Sequence, residues 1–324
     1  MEMNSKLQLL TEKRKKYGNI GAIDFLIELE KKKLGVKGEA PTISYTPFLC
    51  KPVSVPQDLE KFKAKPAVLP KDFCLPPIKG AGNDYSHLLA DLDHKAEPNI
   101  SVVVLNYNRC HNLENTLAGI VNQNYNQEKI EVIVTDDGSS RDTMAVVKKY
   151  QGSLNIKYVW HPDIGFTPAI ARNNGVKLAK NDFIILLDVD MYPSKNLFRT
   201  YAKYSEILKK IVLIGPRKYK DLNGIDIAEI RRNPDYVENL PDVMTNNDVA
   251  GRISGDVSVD WRLDTFVKSE GLKHEKLPFR MFAAGNVAFS RQNYLDIGGF
   301  DERFRDWGFE DGELAFRFFN NGLY

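Results

Sequence analysis

Cysteine is scarce: only Cys50, Cys74 and Cys110 occur, odd in number, widely spaced and without a CxxC pair. Such a set offers no zinc site or redox pair and predicts reduced thiols. Long apolar runs are missing too. No stretch reaches the roughly 18 apolar residues that a membrane-spanning helix requires, so no transmembrane helix is expected. The opening residues, Met1 to Lys16, are mostly polar and charged, unlike a secretory signal, and a cytoplasmic protein is expected. One-sided charge is absent as well. The 45 Lys and Arg against 43 Asp and Glu leave a formal charge of +2, which argues against a dedicated nucleic-acid binder. No internal repeat or low-complexity tract is evident.

What is present suffices for a substantial core: 43% of the 324 residues are hydrophobic and 27% charged. That length predicts one large α/β domain with a smaller appendage. Within residues 1–40 a helical segment is expected, because Ile20, Ile23, Leu26, Ile27 and Leu29 recur on one side. Basic clusters at Lys13 to Lys16 and Lys31 to Lys33 flank it. Such a helix can dock on a neighbouring domain, or lie peripherally on an anionic membrane face. Residues 41–98 carry Pro47, Pro52, Pro56, Pro66, Pro70, Pro76 and Pro77, which interrupt helices and central strands, so an extended linker is expected. From 99 to 324 the pattern changes. Apolar runs at Ser101 to Leu105, Ile130 to Val134, Ile156 to Trp160 and Phe183 to Leu187 read as strands. Helical spacing between them, at Leu113 to Gln123, Met144 to Tyr150 and Ala169 to Ala179, predicts a mostly parallel sheet flanked by helices. Ligands bind such sheets beyond the carboxyl ends of the strands.

Those ends carry the candidate site. Tyr107 and Arg109 follow the first strand, with a ring and a guanidinium suited to a base and a phosphate. Asp136 and Asp137 end the second and can accept hydrogen bonds from uracil or ribose; a plain Asp-Asp-Gly turn is the alternative. Asp188 and Asp190 end the fourth. Acids one residue apart share one side of an extended segment, so they can face a single Mn²⁺ or Mg²⁺ together. Arg172 on the preceding helix can reach a phosphate or a sugar; a surface helix cap or a salt bridge is the alternative. Near the C-terminus, Gly285 and Asn286 sit in a small-residue stretch where backbone can approach a sugar. Trp307, Glu310 and Asp311 then combine an aromatic with paired acids. Asp311 is the candidate base for an acceptor hydroxyl, and Glu310 the residue orienting that acceptor. Capping the helix at 313–320 is the structural alternative for these acids.

Taken in order, Asp136 to Ser139, the DxD at Asp188 to Asp190 and the Trp-Gly-x-Glu-Asp at Trp307 to Asp311 resemble family 2 glycosyltransferases of the GT-A fold. Ala171 to Asn173, Ile214 to Tyr219, Val259 to Arg262 and Phe282 to Phe289 extend the likeness. They are similar to the first transferase domain of bacterial chondroitin synthases and the related hyaluronan synthase. The resemblance implies an inverting transfer of N-acetylhexosamine from a UDP-sugar, forming a β1,4 link to a glycan ending in glucuronic acid. It also implies Mn²⁺ at Asp188 and Asp190, uridine near Tyr107, Arg109 and Asp137, and the base at Asp311. Three departures accompany it. Phe309 stands where those synthases carry Gly, no histidine matches their further metal ligand, and the chain stops at Tyr324 with a cut-short domain expected. A catalytically silent UDP-sugar or glycan-binding module is the alternative function. A nucleotidyltransferase fits less well, because Asn106 to Arg109 lacks the glycine-rich loop such enzymes use.

Overall fold

A computed structural model describes residues 83–90, 92–93, 95–244, 260–304 and 308–324, with isolated positions 8, 11, 12 and 31. Apart from those four positions, the expected helical segment 1–40 lies outside the described residues, as do most of the Pro-rich segment 41–98 and Trp307. The described part of the linker is tied to the domain at several points, Asn83 and Glu97 among them. Tyr85 donates its hydroxyl to the Gly271 carbonyl at 2.7 Å, and the Pro98 carbonyl accepts from Tyr125 at 2.6 Å.

Strands and helices alternate as the apolar runs dictate: β1 (Ile100–Asn106), α1 (Cys110–Val121), β2 (Ile130–Asp136), α2 (Thr143–Tyr150), β3 (Asn155–Trp160), α3 (Pro168–Leu178) and β4 (Phe183–Asp188). Then follow α4 (Leu197–Ala202), β5 (Leu213–Ile214), α5 (Ile227–Arg232), α6 (Tyr236–Asn239), α7 (Leu263–Lys268), β6 (Asn286–Ser290), α8 (Arg291–Asp296) and α9 (Glu310–Asn320). The sheet order is β3-β2-β1-β4-β6-β5. The first four strands are parallel, while β6 runs antiparallel to both β4 and β5.

Successive strand residues point to opposite faces, and both faces are covered. Val102 and Val104 of β1 pack with Leu113, Leu117 and Ile120 of α1 and Val146 and Val147 of α2. On the other face, Val103, Ile133 and Leu186 meet Ala169 and Val176 of α3 and Leu314 and Phe318 of α9. Each of these valine, leucine, isoleucine and phenylalanine side chains contributes about 1.5–3 kcal/mol on burial.

The strand order places the switch in winding direction between β1 and β4, where an open α/β sheet leaves a crevice. Register aligns Asn106 with Asp136, and Leu105 with Asp188, so three strands end together at that crevice. Gly175 lets α3 lie flush on the sheet. A Cβ there would stand 2.4 Å from Val103 Cγ1 and 2.5 Å from Thr135 Cγ2. Arg172, one turn earlier on α3, is thereby carried to the strand ends.

Candidate active site

The cluster is built around Arg172, which is 5% exposed. Its guanidinium donates to Asp188 Oδ1 at 2.9 Å and to Asp311 Oδ1 at 3.4 Å, and lies 3.7 Å from Glu310 Oε1. The Phe300 ring sits beneath it, 5.3 Å from centroid to Cζ. Burial opposes its charge, but Asp188, Asp311 and Glu310 outweigh that cost and hold its proton more tightly than usual. One side chain thus joins the end of β4 to the start of α9, and the bond from Arg172 to Asp311 spans 139 residues of sequence.

Asp311 is fixed from two directions. Its second oxygen accepts the Ala284 N–H at 3.0 Å. Burial pushes its carboxyl above the ordinary aspartate range, with Asp188 adding to the shift and Arg172, Ala284 and Arg217 opposing it. Glu310, 7% exposed, is pushed up by burial and then by the Asp311 charge. Its Oε2 is buried and has no hydrogen-bond partner among the described residues. Both acids occupy the first turn of α9, the positive end of the helix dipole, which favours their charged forms. The expected capping segment at 313–320 therefore starts three residues earlier, with these acids inside it.

Gly285 opens space beside Asp188. Its carbonyl accepts the Asp188 N–H at 3.2 Å, and a Cβ on it would come 2.9 Å from Asp188 Oδ2. Asp190 lies exposed at the mouth of the crevice. The surrounding protein nevertheless strips enough water to raise its carboxyl, and Asp188 raises it further, against Arg109 and Arg217. Two hard carboxylates that repel each other beside an open space suit a divalent cation. Among the described residues no group of three or more His, Cys, Asp or Glu side chains gathers for a metal. An ion here would complete its coordination with water and ligand oxygens, as Mg²⁺ does beside phosphates. A cleft of about 930 Å³, mostly apolar, opens from Asp190 along the β5 edge past Tyr201, Arg217 and Phe319. Arg172, Glu310 and Asp311 do not line it, so the charged cluster lies beside it.

At the ends of β1 and β2 the expected residues divide. Tyr107 and Arg109 are exposed, and the Tyr107 hydroxyl donates to Asp163 at 3.1 Å. Asp136 is different. It is fully buried and accepts from the Ser139 N–H at 2.7 Å, the Tyr158 hydroxyl at 2.8 Å and Asn106 at 3.4 Å. These bonds make Asp136 the organiser of the loop that follows β2. Asp137, 5% exposed, accepts the Thr167 N–H at 3.0 Å and the Thr167 hydroxyl, with His161 Nε2 3.0 Å away. It fastens the entry of α3 to the end of β2. Gly138 has φ +90°, and a Cβ there would stand 2.4 Å from the Asp163 backbone. The close approach that its missing side chain permits is that of the chain itself.

Asn286 opens β6, where its side chain accepts from Tyr201 at 2.9 Å and donates to the Pro216 carbonyl at 3.3 Å. It holds the 215–216 turn against the sheet. Three further residues have no assigned role in the sequence reading. Arg217 stands close enough to lower both Asp190 and Asp311, and its N–H donates to Asp260 at 3.0 Å. Asp260 and Arg262 form a fully buried pair at 2.7 Å, and Arg262 also donates to the carbonyls of Gly215 and Met281 at 3.0 and 3.1 Å. In the sequence, Ile214 to Tyr219 and the Asp-Trp-Arg at 260–262 mark them only through their resemblance to the synthases.

Known proteins share these segments. Residues 101–260 match the family model for glycosyl transferase family 2, and residues 266–324 that for the N-terminal domain of galactosyltransferase. The chain is 43% identical over 267 residues to hyaluronan synthase of Pasteurella multocida, covering 80% of this chain and 27% of that protein. Chondroitin synthase of Pasteurella multocida strain Pm70 is 39% identical over 275 residues, covering 82% of this chain and 28% of its own length. Chondroitin synthase of Escherichia coli is 35% identical over 274 residues, with 82% and 40% covered. The chain thus spans between about a quarter and two fifths of the length of these relatives. With the strand order and the clustered acids, these matches make the chain a member of glycosyl transferase family 2 with the GT-A fold.

Proposed function

We propose that this domain transfers an N-acetylhexosamine, GalNAc or GlcNAc, from a UDP-sugar to a glycan ending in glucuronic acid. The transfer is inverting and forms a β1,4 link, in the synthesis of a glycosaminoglycan-like capsule polysaccharide. The observation that carries this reading is the convergence of Asp188, Glu310 and Asp311 on the single guanidinium of Arg172. The names of the relatives, hyaluronan and chondroitin synthases, support the polymer class.

Tyr107 and Arg109 offer an exposed ring and charge to the uridine diphosphate, with Asp137 behind them. Asp188 and Asp190 would hold Mn²⁺ or Mg²⁺, which when bound neutralises charge on the departing diphosphate. Arg172 fixes Asp188 relative to Asp311, so the donor side and the base keep one geometry. Asp311 takes the acceptor hydroxyl proton as that oxygen bonds to the anomeric carbon and the bond from this carbon to the diphosphate breaks. Attack on the face opposite the leaving group inverts the centre. The raised Asp311 carboxyl makes its carboxylate a better base than an ordinary aspartate. Glu310, alongside, orients the acceptor.

The test is incubation with UDP-GalNAc or UDP-GlcNAc, Mn²⁺ and a glucuronate-terminated oligosaccharide. Release of UDP with an extended glycan is expected, and Asp311→Asn should slow it by about 100-fold or more. No product from either donor, with Asp311→Asn indistinguishable from wild type, would overturn the reading. Mn²⁺-dependent UDP binding without transfer or hydrolysis would instead favour a silent UDP-sugar or glycan-binding module.

A further inference from the structure

Phe309 is 86% exposed and takes φ +71° and ψ −20°, the left-handed region, at the N-cap of α9. Two costs meet in one residue. A bulky side chain rarely adopts positive φ, and a phenyl ring left in water forgoes its burial. The preceding Gly308 also has positive φ, +101°, so the turn that delivers Phe309 is itself a left-handed one. Among the described residues the ring is left largely in solvent, without burial against the core. Strain of this kind persists where function holds it. The next two residues, Glu310 and Asp311, turn inward to Arg172 while Phe309 turns outward.

We propose that Phe309 is a specificity-determining residue: an aromatic platform on which the acceptor's terminal pyranose rests as its hydroxyl is presented to Asp311. A pyranose carries a face of C–H groups whose weakly positive hydrogens complement the negative face of a phenyl ring. The left-handed N-cap sets that ring outside the crevice while its neighbouring acids stay within. This assignment rests on the acceptor side of the transferase reading but is tested apart from it.

The experiment is calorimetry on the full chain with UDP and Mn²⁺ present, titrating a glucuronate-terminated oligosaccharide. Phe309→Gly, which removes the ring and accepts the turn's backbone, should weaken binding about fivefold to tenfold, the scale of one aromatic contact. Phe309→Trp should keep the affinity, and both variants should bind UDP as the wild type does. Three results would overturn the platform: unchanged binding in Phe309→Gly, equal loss in Phe309→Trp, or no oligosaccharide binding by the wild type. The transfer assay reads the other claim. A wild type that binds the oligosaccharide through Phe309 but transfers no sugar keeps the platform and removes the transferase.

Discussion

Arg172 carries most of the electrostatic burden of the site, because it neutralises three acids from a position with almost no access to water. Removing it leaves Glu310 buried and uncompensated. Arg172→Ala should therefore cost about 3–5 kcal/mol in urea unfolding, the scale seen when one partner of a buried pair is lost. Arg172→Lys keeps the charge without the planar fork, so it should recover part of the stability and little of the transfer. An alanine variant as stable as wild type would contradict this. Asp311 behaves in the opposite sense. Its folded-state carboxyl is raised, so its contribution to stability is complete below the ordinary aspartate value and is lost as pH rises through the raised one. Asp311→Asn, neutral throughout, should melt no lower than wild type at neutral pH, with the difference vanishing in acid. A lower melting point at neutral pH would refute the sign. Phe309→Gly should also stabilise. Relief of a left-handed residue, about 1–2 kcal/mol, exceeds the about 0.5–1 kcal/mol entropic cost of glycine. A Tm rise of a few degrees follows for a domain of this size.

At the scale of elements, α3 is the part that turns a sheet into a site. Gly175→Val would force a side chain into Val103 and Thr135, lifting the helix from β1 and β2. Overpacking of this kind costs about 1–3 kcal/mol. The displaced Arg172 should reduce kcat/KM further than that loss explains, measured at a temperature where the variant remains folded. A stable variant with unaltered transfer would show that the seating of α3 is immaterial. The same elements show what the sequence can reveal. β1, β2, α3 and β4 are legible because parallel strands buried on both faces read as continuous apolar runs. β5, two partly exposed residues, has no pattern to find. β6 is not legible as a strand: Asn286 to Ser290 reads as a small-residue approach to a sugar, and becomes a strand through pairing with β4 and β5. At the site, strand-end acids were legible, but their division was not. Asp136 is internal because Tyr158, on a neighbouring strand, reaches it. The bond from Arg172 to Asp311 is made by the fold alone.

On the scale of the whole molecule, the charged crevice joins both halves of the matched sequence, so a ligand held there should stabilise the entire domain. UDP with Mn²⁺ should raise Tm by mass action, worth about 2.7 kcal/mol at a hundredfold excess over Kd. Chelation should remove the metal-dependent part, and Asp190→Asn should abolish it while leaving the ligand-free melting point at neutral pH no lower than wild type, since the protein raises the Asp190 carboxyl. The same Mn²⁺-dependent rise in Asp190→Asn would exclude that carboxylate. The most direct measurement is manganese anomalous diffraction from a crystal grown with UDP. The account predicts one ion in contact with carboxylate oxygens of both Asp188 and Asp190 and with the diphosphate. An ion seated elsewhere, or UDP bound with both aspartates turned away, would contradict it.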